Sequence, residues 1–353
     1  MQEFDSDSRF DKDFPQLWED MIENKGKLDY PDSFDFVPTL RCNLNCQGCF
    51  QKKNRFYKKQ EMDIYQMCKM FDGLDIEDRI VKLIGGEIFV RYSDYNFDII
   101  NLLHELTARN AHIIIGTNAL NIPDVERFKD WNIAEITTSI DGLARTHDKL
   151  RGMIGAFKNT RDFIYDMGKY GLGYKVNVTS MLYKECLSDV KEVIKLKDKL
   201  GMNALRFQIP KWSTSEEIYE SMRVLGTDSV LDVSKQPYDY TSYDLWETIR
   251  YIYDMDKIFI QPSYYWRNPD ATHGKQIRSK YKCMCTYLFR GKINPNGDVN
   301  PCFYILNSMG NLKNQSFEEI WNSNRYRKFR MKMAKNNMLP ICENCCSLRI
   351  LEK

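Results

Sequence analysis

The sequence has almost no net charge, since 51 basic residues are balanced by 49 acidic ones and the formal charge is +2. A protein that binds nucleic acid or an anionic membrane through electrostatics needs an excess of positive charge. The sequence also lacks an apolar run long enough to span a bilayer, and nothing at its N-terminus resembles a signal peptide. We therefore expect a cytoplasmic protein without a nucleic-acid or membrane partner.

The eleven cysteines are clustered, and clustered thiols in a chain without export signals indicate metal ligation. The first cluster is one ligand short: Cys42, Cys46 and Cys49 follow a strand-like run with no fourth Cys or His nearby. A structural zinc site normally takes four ligands, whereas three thiolates can hold three irons of a four-iron cluster and leave the fourth iron open. We therefore predict an iron–sulfur cluster, with a zinc knuckle or a disulfide pair as alternatives.

The order of the elements predicts the fold. From about residue 34, strand-like and helix-like runs alternate, which indicates parallel strands joined by crossover helices. The strand-like runs are 34–40, 79–84, 112–116, 134–140, 174–182 and 204–209, and helical patterns lie near 60–73, 94–108, 122–130, 156–170 and 187–200. We predict an α/β fold built as a partial (β/α)6, TIM-like barrel, with its site at the carboxyl ends of the strands.

Four segments are predicted along the chain. They are an N-terminal cap segment over 1–33, the barrel over 34–210, an aromatic-rich bridge over 211–282 and a small C-terminal domain over 283–353. The cap segment contains a short helix opening at 14–18, and the bridge has helical patterns near 216–224 and 243–253. Tyr264, Tyr265 and Trp266 in the bridge belong either to a substrate site or to an aromatic core stripe.

The C-terminal segment has clear local signals. Asn296-Gly297 between β-like arms predicts a hairpin. Ser316 predicts the N-cap of a helix over 317–321. The segment also contains the second group of cysteines, which lies between 283 and 346. Cys68 and Cys186 stand apart from both groups, and we interpret them as small buried hydrophobes.

Several short motifs follow the ends of successive predicted strands. They are Cys42-x3-Cys46-x2-Cys49, Gly85-Gly86-Glu87, Ser139-Ile140-Asp141-Gly142 and His147-Asp148-Lys149-Leu150-Arg151-Gly152. Together they closely resemble the motifs of the radical S-adenosylmethionine (SAM) family. One position departs from the family pattern, because the residue before the last cysteine is often aromatic and here is Gly48. We expect Phe50 to supply the aromatic packing instead.

The resemblance implies that SAM binds the open iron of a [4Fe-4S] cluster through its amino and carboxylate groups. The residues it places near SAM are Gly85, Gly86, Glu87, Asn118, Ser139, Arg151 and Asn177. The carboxylate of Glu87 suits the amino cation, and the Arg151 guanidinium suits the SAM carboxylate or ribose. Asn177 and Arg206 are read either as pocket residues or as polar residues of the barrel rim. The segment around His147 is expected to be a structural turn rather than the source of a general base.

The C-terminal cysteines resemble the start of the SPASM pattern. Eleven residues separate Cys285 from Gly297, four separate Gly297 from Cys302, and two separate Cys342 from Cys345. The later cysteines of the full pattern are missing, so we expect the shorter twitch form with one auxiliary [4Fe-4S] cluster. Its expected ligands are Cys285, Cys302, Cys342 and Cys345, with Cys283 and Cys346 as alternates. A zinc site with four thiolates is the alternative.

The function implied by the resemblance is that of a radical SAM oxidoreductase. Such an enzyme forms a 5′-deoxyadenosyl radical that removes hydrogen from a C–H bond, and the auxiliary cluster assists oxidation or positions the substrate. The expected substrate is a ribosomal peptide or protein side chain, or a small sugar- or aminocyclitol-like molecule. The expected reductant is a flavodoxin or a ferredoxin. Epimerisation would need a hydrogen donor, for which Cys186, Cys283 and Cys346 are candidates. The alternative is a non-catalytic iron–sulfur or zinc protein.

Overall fold

The chain divides into two compact units. The computed structural model describes residues 14–52, 61–91, 99–211, 213–228, 230–231, 242–252, 255–261, 281–283, 290–343, 345 and 348–350. The sheet unit comprises residues 35–210 and 239–261, and the C-terminal unit comprises residues 1–34, 211–238 and 262–353. Residues 211–282, predicted as one bridge, are thus shared between the units, and the aromatic residues 264–266 lie outside the described residues. No helix within the described ranges is long and apolar enough to cross a membrane.

The sheet unit contains strands that follow one another in chain order. Each of β2 to β6 pairs in parallel with the next strand, and β1 lies beside β2. The strands are β1 Ser33–Phe36, β2 Ile80–Leu83, β3 His112–Gly116, β4 Ile133–Ser139, β5 Val176–Met181, β6 Ala204–Gln208 and β7 Ile258–Gln261. This order confirms the predicted parallel α/β architecture, in which the carboxyl ends of the strands lie at one edge of the sheet.

Two features of the strands differ from the prediction. The first strand ends at Phe36 instead of residue 40, because Pro38 has no N–H to donate to a neighbouring strand. A further strand, β7, pairs with β6 from Leu205 opposite Ile258 to Gln208 opposite Gln261. It is only four residues long and lies in an aromatic-rich stretch, so no sequence pattern marks it.

The helices of the sheet unit mostly lie where the periodicity predicts them. They are α2 Ile64–Phe71, α3 Ile99–Ala108, α4 Ala144–Arg151, α5 Ala156–Lys169, α6 Val190–Leu200 and α8 Tyr243–Ile252. The pattern near 122–130 forms a short 3₁₀ helix, Val125–Lys129. The segment around His147 is a helix, α4, instead of the expected turn, although its role is structural, as described below. Its N-cap, Leu143, makes no side-chain cap, and the Leu143 N–H donates to the carboxylate of Asp189 at 2.9 Å.

The core of the sheet unit lies between the buried face of the sheet and these helices. Ile113, Ile115, Ile136, Val178 and Leu205 from four adjacent strands are all fully buried. Burying a side chain of this size contributes roughly 1.5–3 kcal/mol. The apolar strands therefore provide a rigid base from which the loops at their carboxyl ends project.

The C-terminal unit combines short antiparallel strands with helices. Its elements are α1 Phe14–Glu23, α7 Ser215–Leu225, β8 Tyr281–Cys283, β9 Arg290–Ile293, β10 Asp298–Asn300, β11 Gly310–Asn311, α9 Phe317–Trp321, α10 Asn324–Lys335 and β12 Leu348–Ile350. The predicted hairpin is confirmed: β9 and β10 are antiparallel, and Gly297 in their turn has φ +88°. The predicted N-cap is also confirmed, since Ser316 forms a reciprocal capping box with Glu319.

A buried arginine joins the N-terminal segment to the helices of this unit. The Arg330 guanidinium lies 4.2 Å from the ring centroid of Trp321 and 4.1 Å from that of Tyr326. It also donates to the carbonyl of Gly26 at 2.8 Å. Burial lowers the pKa of Arg330 to about 10. Cation–π contacts and one backbone hydrogen bond therefore hold this charge in the unit's interior.

Candidate functional site

The cysteine loop, residues 42–49, follows β1 and carries Cys42, Cys46 and Cys49. It rests against the end of α4. The Gln47 N–H donates to the carbonyl of Leu150 at 2.8 Å. A Cβ on Gly152 would lie 2.9 Å from the carbonyl oxygen of Asn45, so only glycine allows this approach. The motif over residues 147–152 therefore supports the loop directly.

Asn118 brings the turn after β3 to the first cysteine. Its side-chain Nδ2 donates to Asn43 Oδ1 at 2.7 Å and lies 3.9 Å from the sulfur of Cys42. The Leu44 N–H also points at this sulfur, at 3.4 Å. Donors directed at sulfur favour the charged thiolate, which is the form that binds iron.

Glu87 is buried and faces the neighbouring turn. Its carboxylate accepts hydrogen bonds from the Asn118 N–H at 2.6 Å, from Thr117 Oγ1 at 2.8 Å and from the Phe89 N–H at 3.1 Å. The carboxylate therefore links the Gly-Gly-Glu turn to the Thr117-Asn118 turn. The expected pairing of Glu87 with the SAM amino group stays a prediction.

Gly85 and Gly86 let the turn after β2 pack on the chain that leads into Cys42. A Cβ on Gly85 would lie 2.6 Å from the carbonyl oxygen of Thr39, and one on Gly86 would lie 1.9 Å from that of Arg41. Two hydrogen bonds close the contact, from the Gly86 N–H to Thr39 at 2.9 Å and from the Glu87 N–H to Arg41 at 2.8 Å. The close approach that these glycines permit is therefore between two turns of the protein itself, and their contact with SAM stays a prediction.

Arg151 connects the second cysteine to the end of β4. Its Nε and Nη2 both lie 2.7 Å from Asp141 Oδ2. Its side chain also hydrogen-bonds the thiol of Cys46. The other oxygen of Asp141 accepts from the Met181 N–H at 2.9 Å. Burial raises the pKa of Cys46, while the Arg151 charge opposes this effect. A thiolate at Cys46 would thus have a cation beside it.

His147 has a structural partner. Its Nδ1 accepts from the backbone N–H of Asp141 at 3.0 Å, and the residue is only 2% exposed. Burial lowers the pKa of His147 to about 4, so the imidazole is neutral at physiological pH. A neutral imidazole that accepts a backbone hydrogen bond holds the turn after β4, in agreement with the structural role expected for this segment.

Gly48 leaves space for a ring from another strand. A Cβ at this position would lie 1.6 Å from the hydroxyl oxygen and 2.8 Å from Cζ of Tyr183, which follows β5. Burial raises the pKa of the Tyr183 hydroxyl. We expected Phe50 to compensate for the missing aromatic residue, but the ring packed against Gly48 is that of Tyr183. The glycine was a visible signal, whereas its partner 135 residues away was not.

Three further residues named from the sequence, Ser139, Asn177 and Arg206, lie on strands. Ser139 is the last residue of β4 and lies opposite Thr179 of β5. Asn177 is the second residue of β5, and its Oδ1 accepts from Asn203 Nδ2 at 2.9 Å. Arg206 also lies opposite Thr179, on β6. The structure thus brings Asn118 and Arg151 to the cysteine loop, while Asn177 bonds to the segment before β6.

Glu61 is a residue that no sequence signal marked. Its Oε1 accepts from the Leu40 N–H at 2.7 Å and from Thr39 Oγ1 at 2.8 Å. Its Oε2 pairs with Arg91 Nη1 at 3.2 Å and with Arg41 Nε at 3.3 Å. The Glu61 side chain is 5% exposed. It therefore fixes the end of the chain segment from which the cysteine loop begins.

The C-terminal unit brings three predicted ligands together. Cys302 follows β10, and its sulfur accepts the Tyr304 N–H at 3.3 Å and the Ile305 N–H. Burial raises the pKa of Cys302, and this effect is increased by the nearby Cys345 and opposed by the positive charge of Lys292. The pattern of amide donors and a cation near a buried sulfur suits a thiolate ligand.

Cys342 and Cys345 lie at the end of the chain, beside a lysine. The Cys345 N–H donates to the carbonyl of Cys342 at 3.0 Å. Burial raises the pKa of Cys342 to about 12, while the charge of Lys211 opposes it. Lys211 is held by the Ile341 carbonyl at 2.6 Å and lies 4.5 Å from the ring centroid of Tyr304. Iron binding would displace the proton of the thiol, because metal ligation requires the thiolate.

The structure describes three of the other five cysteines. Cys285 and Cys346 fall outside the described residues. Cys283 is 3% exposed in β8, opposite Leu348 of β12. Cys186 is 1% exposed, and burial raises the pKa of its thiol to about 12. Cys68 lies on α2 and is partly buried.

The donor sets of both units fit iron–sulfur clusters. No three Cys, His, Asp or Glu side chains in the described part of the chain surround a point closely enough to hold a single metal ion. The cysteines of a cluster need not do so, because each binds a different iron. The three sulfurs of the cysteine loop, with amide donors at Cys42 and a cation at Cys46, are therefore suitable ligands for a cluster.

We expect the charge of Glu87 to make stability depend on pH. Burial raises the pKa of Glu87 from 4.5 to about 7. The folded protein then binds more protons than the unfolded chain between these values, so the unfolding free energy falls as pH rises through this window. The difference corresponds to about 3 kcal/mol. Urea unfolding of the metal-free protein at about pH 5 and about pH 7.5 measures this contribution.

The variant Glu87→Gln separates this effect from general destabilisation. It loses hydrogen bonds at every pH, but it no longer titrates, so the pH dependence should shrink by about 3 kcal/mol. The exposed carboxylate Glu77, changed to Gln, serves as the matched control and should leave the pH dependence as in the wild type. An unchanged pH dependence in Glu87→Gln would contradict the assignment.

Two family descriptions match the chain. Residues 36–196 match the radical SAM superfamily, and residues 283–346 match SPASM, an iron–sulfur cluster-binding domain. These ranges contain the cysteine loop and the C-terminal cysteines respectively. Among curated proteins, the chain is 27% identical over 328 residues to the AdoMet-dependent heme synthase of Methanosarcina barkeri, covering 86% of each chain.

Solved structures of similar fold include some that are described with a bound precursor peptide or with bound AdoMet. Streptococcus suis SuiB bound to precursor peptide SuiA has a TM-score of 0.66 at 18% identity, with 94% of this chain and 74% of that chain covered. Native anSMEcpe with bound AdoMet has a TM-score of 0.61 at 16% identity, with 90% and 93% covered. These likenesses show the fold, and they confirm the predicted fold class.

Proposed function

Because the chain belongs to the radical SAM superfamily and carries a SPASM-type domain, we propose that it removes hydrogen from a substrate C–H bond and oxidises the product radical. A [4Fe-4S] cluster with SAM, when bound, supplies the 5′-deoxyadenosyl radical for this step. The observation that carries the proposal is the cysteine loop, which is held by Asn118 after β3 and by the end of α4, while the turn after β2 holds the segment that leads into it.

We assign the cluster ligands to Cys42, Cys46 and Cys49. Asn118 and Arg151 contact two of these residues and therefore orient them. Gly85, Gly86, Glu87, Ser139 and Asn177 remain the proposed further contacts of SAM.

In the C-terminal unit, the proposed ligands are Cys285, Cys302, Cys342 and Cys345. Lys211 and Lys292 place positive charge near the described members of this set. Positive charge and N–H donors near the sulfurs make a cluster easier to reduce. An auxiliary cluster in this environment is therefore suited to accept the electron of the substrate radical, which favours net oxidation.

For the substrate class, we place a tetrapyrrole first. The supporting observation is the match to an AdoMet-dependent heme synthase over 86% of both chains. A peptide is the second candidate, because a structure of similar fold is described with a bound precursor peptide. The sugar-like substrate predicted from the sequence has no support from these comparisons.

Anaerobic turnover tests the proposal. Reconstituted protein incubated with SAM and dithionite should form 5′-deoxyadenosine, and Cys42→Ala should reduce this product to background because one iron loses its ligand. Cys68→Ala is the matched control, since Cys68 lies on α2 outside both sets. Absence of 5′-deoxyadenosine from the wild type would refute the proposed chemistry.

Iron content and isotope transfer then test the finer points. About eight irons per chain would support two clusters, whereas about four irons with one zinc would indicate a structural zinc site in the C-terminal unit. Porphyrins and peptides with deuterated side chains distinguish the substrate classes. The true substrate should transfer deuterium to 5′-deoxyadenosine, and the other class should not.

A further inference from the structure

The turn after α4 exposes apolar side chains beside the cysteine loop. Ile154 is 94% exposed and Met153 is 41% exposed. The turn begins at Gly152, which packs against Asn45, the residue directly before Cys46. Met153 and Ile154 are adjacent and exposed together, and contiguous exposed apolar surface is a feature of interaction sites.

Basic residues lie on the helix that precedes this turn and just after the loop against which the turn packs. Arg145 and Lys149 lie one helical turn apart on α4 and are both exposed. Within the described residues, neither makes an ion pair. Lys52 extends from the other side of the loop and donates to the carbonyl of Asn45 at 3.1 Å. The nearby carboxylate of Asp148 is already engaged, since it accepts the backbone N–H groups of Gly155 and Phe157.

The sequence after Lys52 is also basic, in residues that lie outside the described part of the structure. From the described Lys52 onward, residues 52–59 contain four further basic residues, Lys53, Arg55, Lys58 and Lys59, and no acidic one. A basic surface of this kind steers an acidic protein partner, and a small apolar centre suits a transient interface. Because the surface lies against the loop that carries the cluster ligands, an electron arriving there has a short path to the cluster.

We propose that Lys52, Arg145, Lys149, Met153 and Ile154, the electron-entry patch, dock a small one-electron carrier protein whose redox group is surrounded by acidic side chains. This inference rests on the proposed function. One electron passes from the reduced carrier to the cluster, so the carrier is oxidised by one electron. No proton is transferred, and no covalent bond forms or breaks.

A recombinant bacterial flavodoxin is the probe. Its affinity for the reconstituted full-length protein is measured by calorimetry at low and high salt, for the wild type, for Arg145→Glu/Lys149→Glu and for Ile154→Ser. The charge-reversal variant should bind about tenfold more weakly at low salt, with a smaller difference at high salt. Ile154→Ser should bind more weakly at both salt concentrations, because it removes apolar contact area.

The control pair has the same spacing on another helix. Lys195 and Lys199 also lie one turn apart, on α6, and both are exposed. Lys195→Glu/Lys199→Glu should bind flavodoxin like the wild type. Flavodoxin binding by the patch variants at wild-type affinity, or an equal loss in the control, would overturn the proposal.

Two reductants separate this inference from the proposed function. With dithionite, which needs no docking, the patch variants should form 5′-deoxyadenosine at the wild-type rate. With flavodoxin reduced by NADPH and flavodoxin reductase, their rate should fall about tenfold at subsaturating carrier. If dithionite yields no product even in the wild type, the proposed function fails, while the binding measurement still decides the docking surface.

Discussion

Gly86→Ala is expected to remove the N-terminal cluster, about four irons per chain. The added Cβ would lie 1.9 Å from the carbonyl oxygen of Arg41 and 2.7 Å from its carbonyl carbon. These are backbone atoms, so no side-chain rotation relieves the clash. Gly86 does not have a positive φ, and alanine is therefore allowed by its backbone conformation. The effect is purely steric, and it displaces the segment that leads directly into Cys42.

Gly73→Ala is the matched control for this prediction. A Cβ on Gly73 would meet its nearest neighbour at 3.7 Å, an ordinary contact distance. Iron analysis after anaerobic reconstitution, with circular dichroism to verify folding, should show the loss only in Gly86→Ala. Full iron content in a folded Gly86→Ala protein would show that the two turns do not need this close approach.

Asp141→Ala is expected to destabilise the protein by about 3–5 kcal/mol, the range for removing one partner of a buried ion pair. Asp141 and Arg151 have side chains 4% and 16% exposed. The substitution leaves the guanidinium without its carboxylate and the Met181 N–H without its acceptor. It also frees the side chain that contacts Cys46, so SAM-dependent activity should fall together with stability.

A double-mutant cycle checks the cause of this loss. In Asp141→Ala/Arg151→Leu, the unpaired buried charge is gone, so urea unfolding should show a smaller destabilisation than in Asp141→Ala alone. Asp162→Ala is the control, because Asp162 pairs with Lys158 and Arg161 at an exposed position and should cost less than about 1 kcal/mol. A double variant as unstable as the sum of its singles would refute the charge argument.

The sequence identified the parts of the site that short-range spacing determines. The positions of Cys42, Cys46 and Cys49 and the alternation of strands and helices together predicted a cysteine loop at the carboxyl end of the first strand. Motifs at the ends of later strands could be expected near this loop, because parallel strands end at one edge of a sheet. The contacts of Asn118 and Arg151 agree with that expectation.

The parts that the sequence missed depend on long-range contacts. Glu61, Asp141 and Tyr183 act through partners on other elements, and no local pattern identifies such pairs. Helix α4 lacks a side-chain cap and is held by Asp189, so its start carried no capping signal. The hydrogen bonds of Glu87 to the Thr117-Asn118 turn could not be expected from its motif, and its predicted contact with the SAM amino group stays a prediction. Side-chain direction is a tertiary property and is not encoded in motif spacing.

The contact between Gly48 and Tyr183 has a consequence for the history of this protein family. A side chain at position 48 and a tyrosine at position 183 compete for one volume, since a Cβ would lie 1.6 Å from the hydroxyl oxygen. A larger residue at position 48 therefore requires either a smaller residue at position 183 or a different rotamer of Tyr183. Homologues with an aromatic residue before the third cysteine should carry a small residue at the position of Tyr183, so this pair should covary across an alignment although 135 residues separate it.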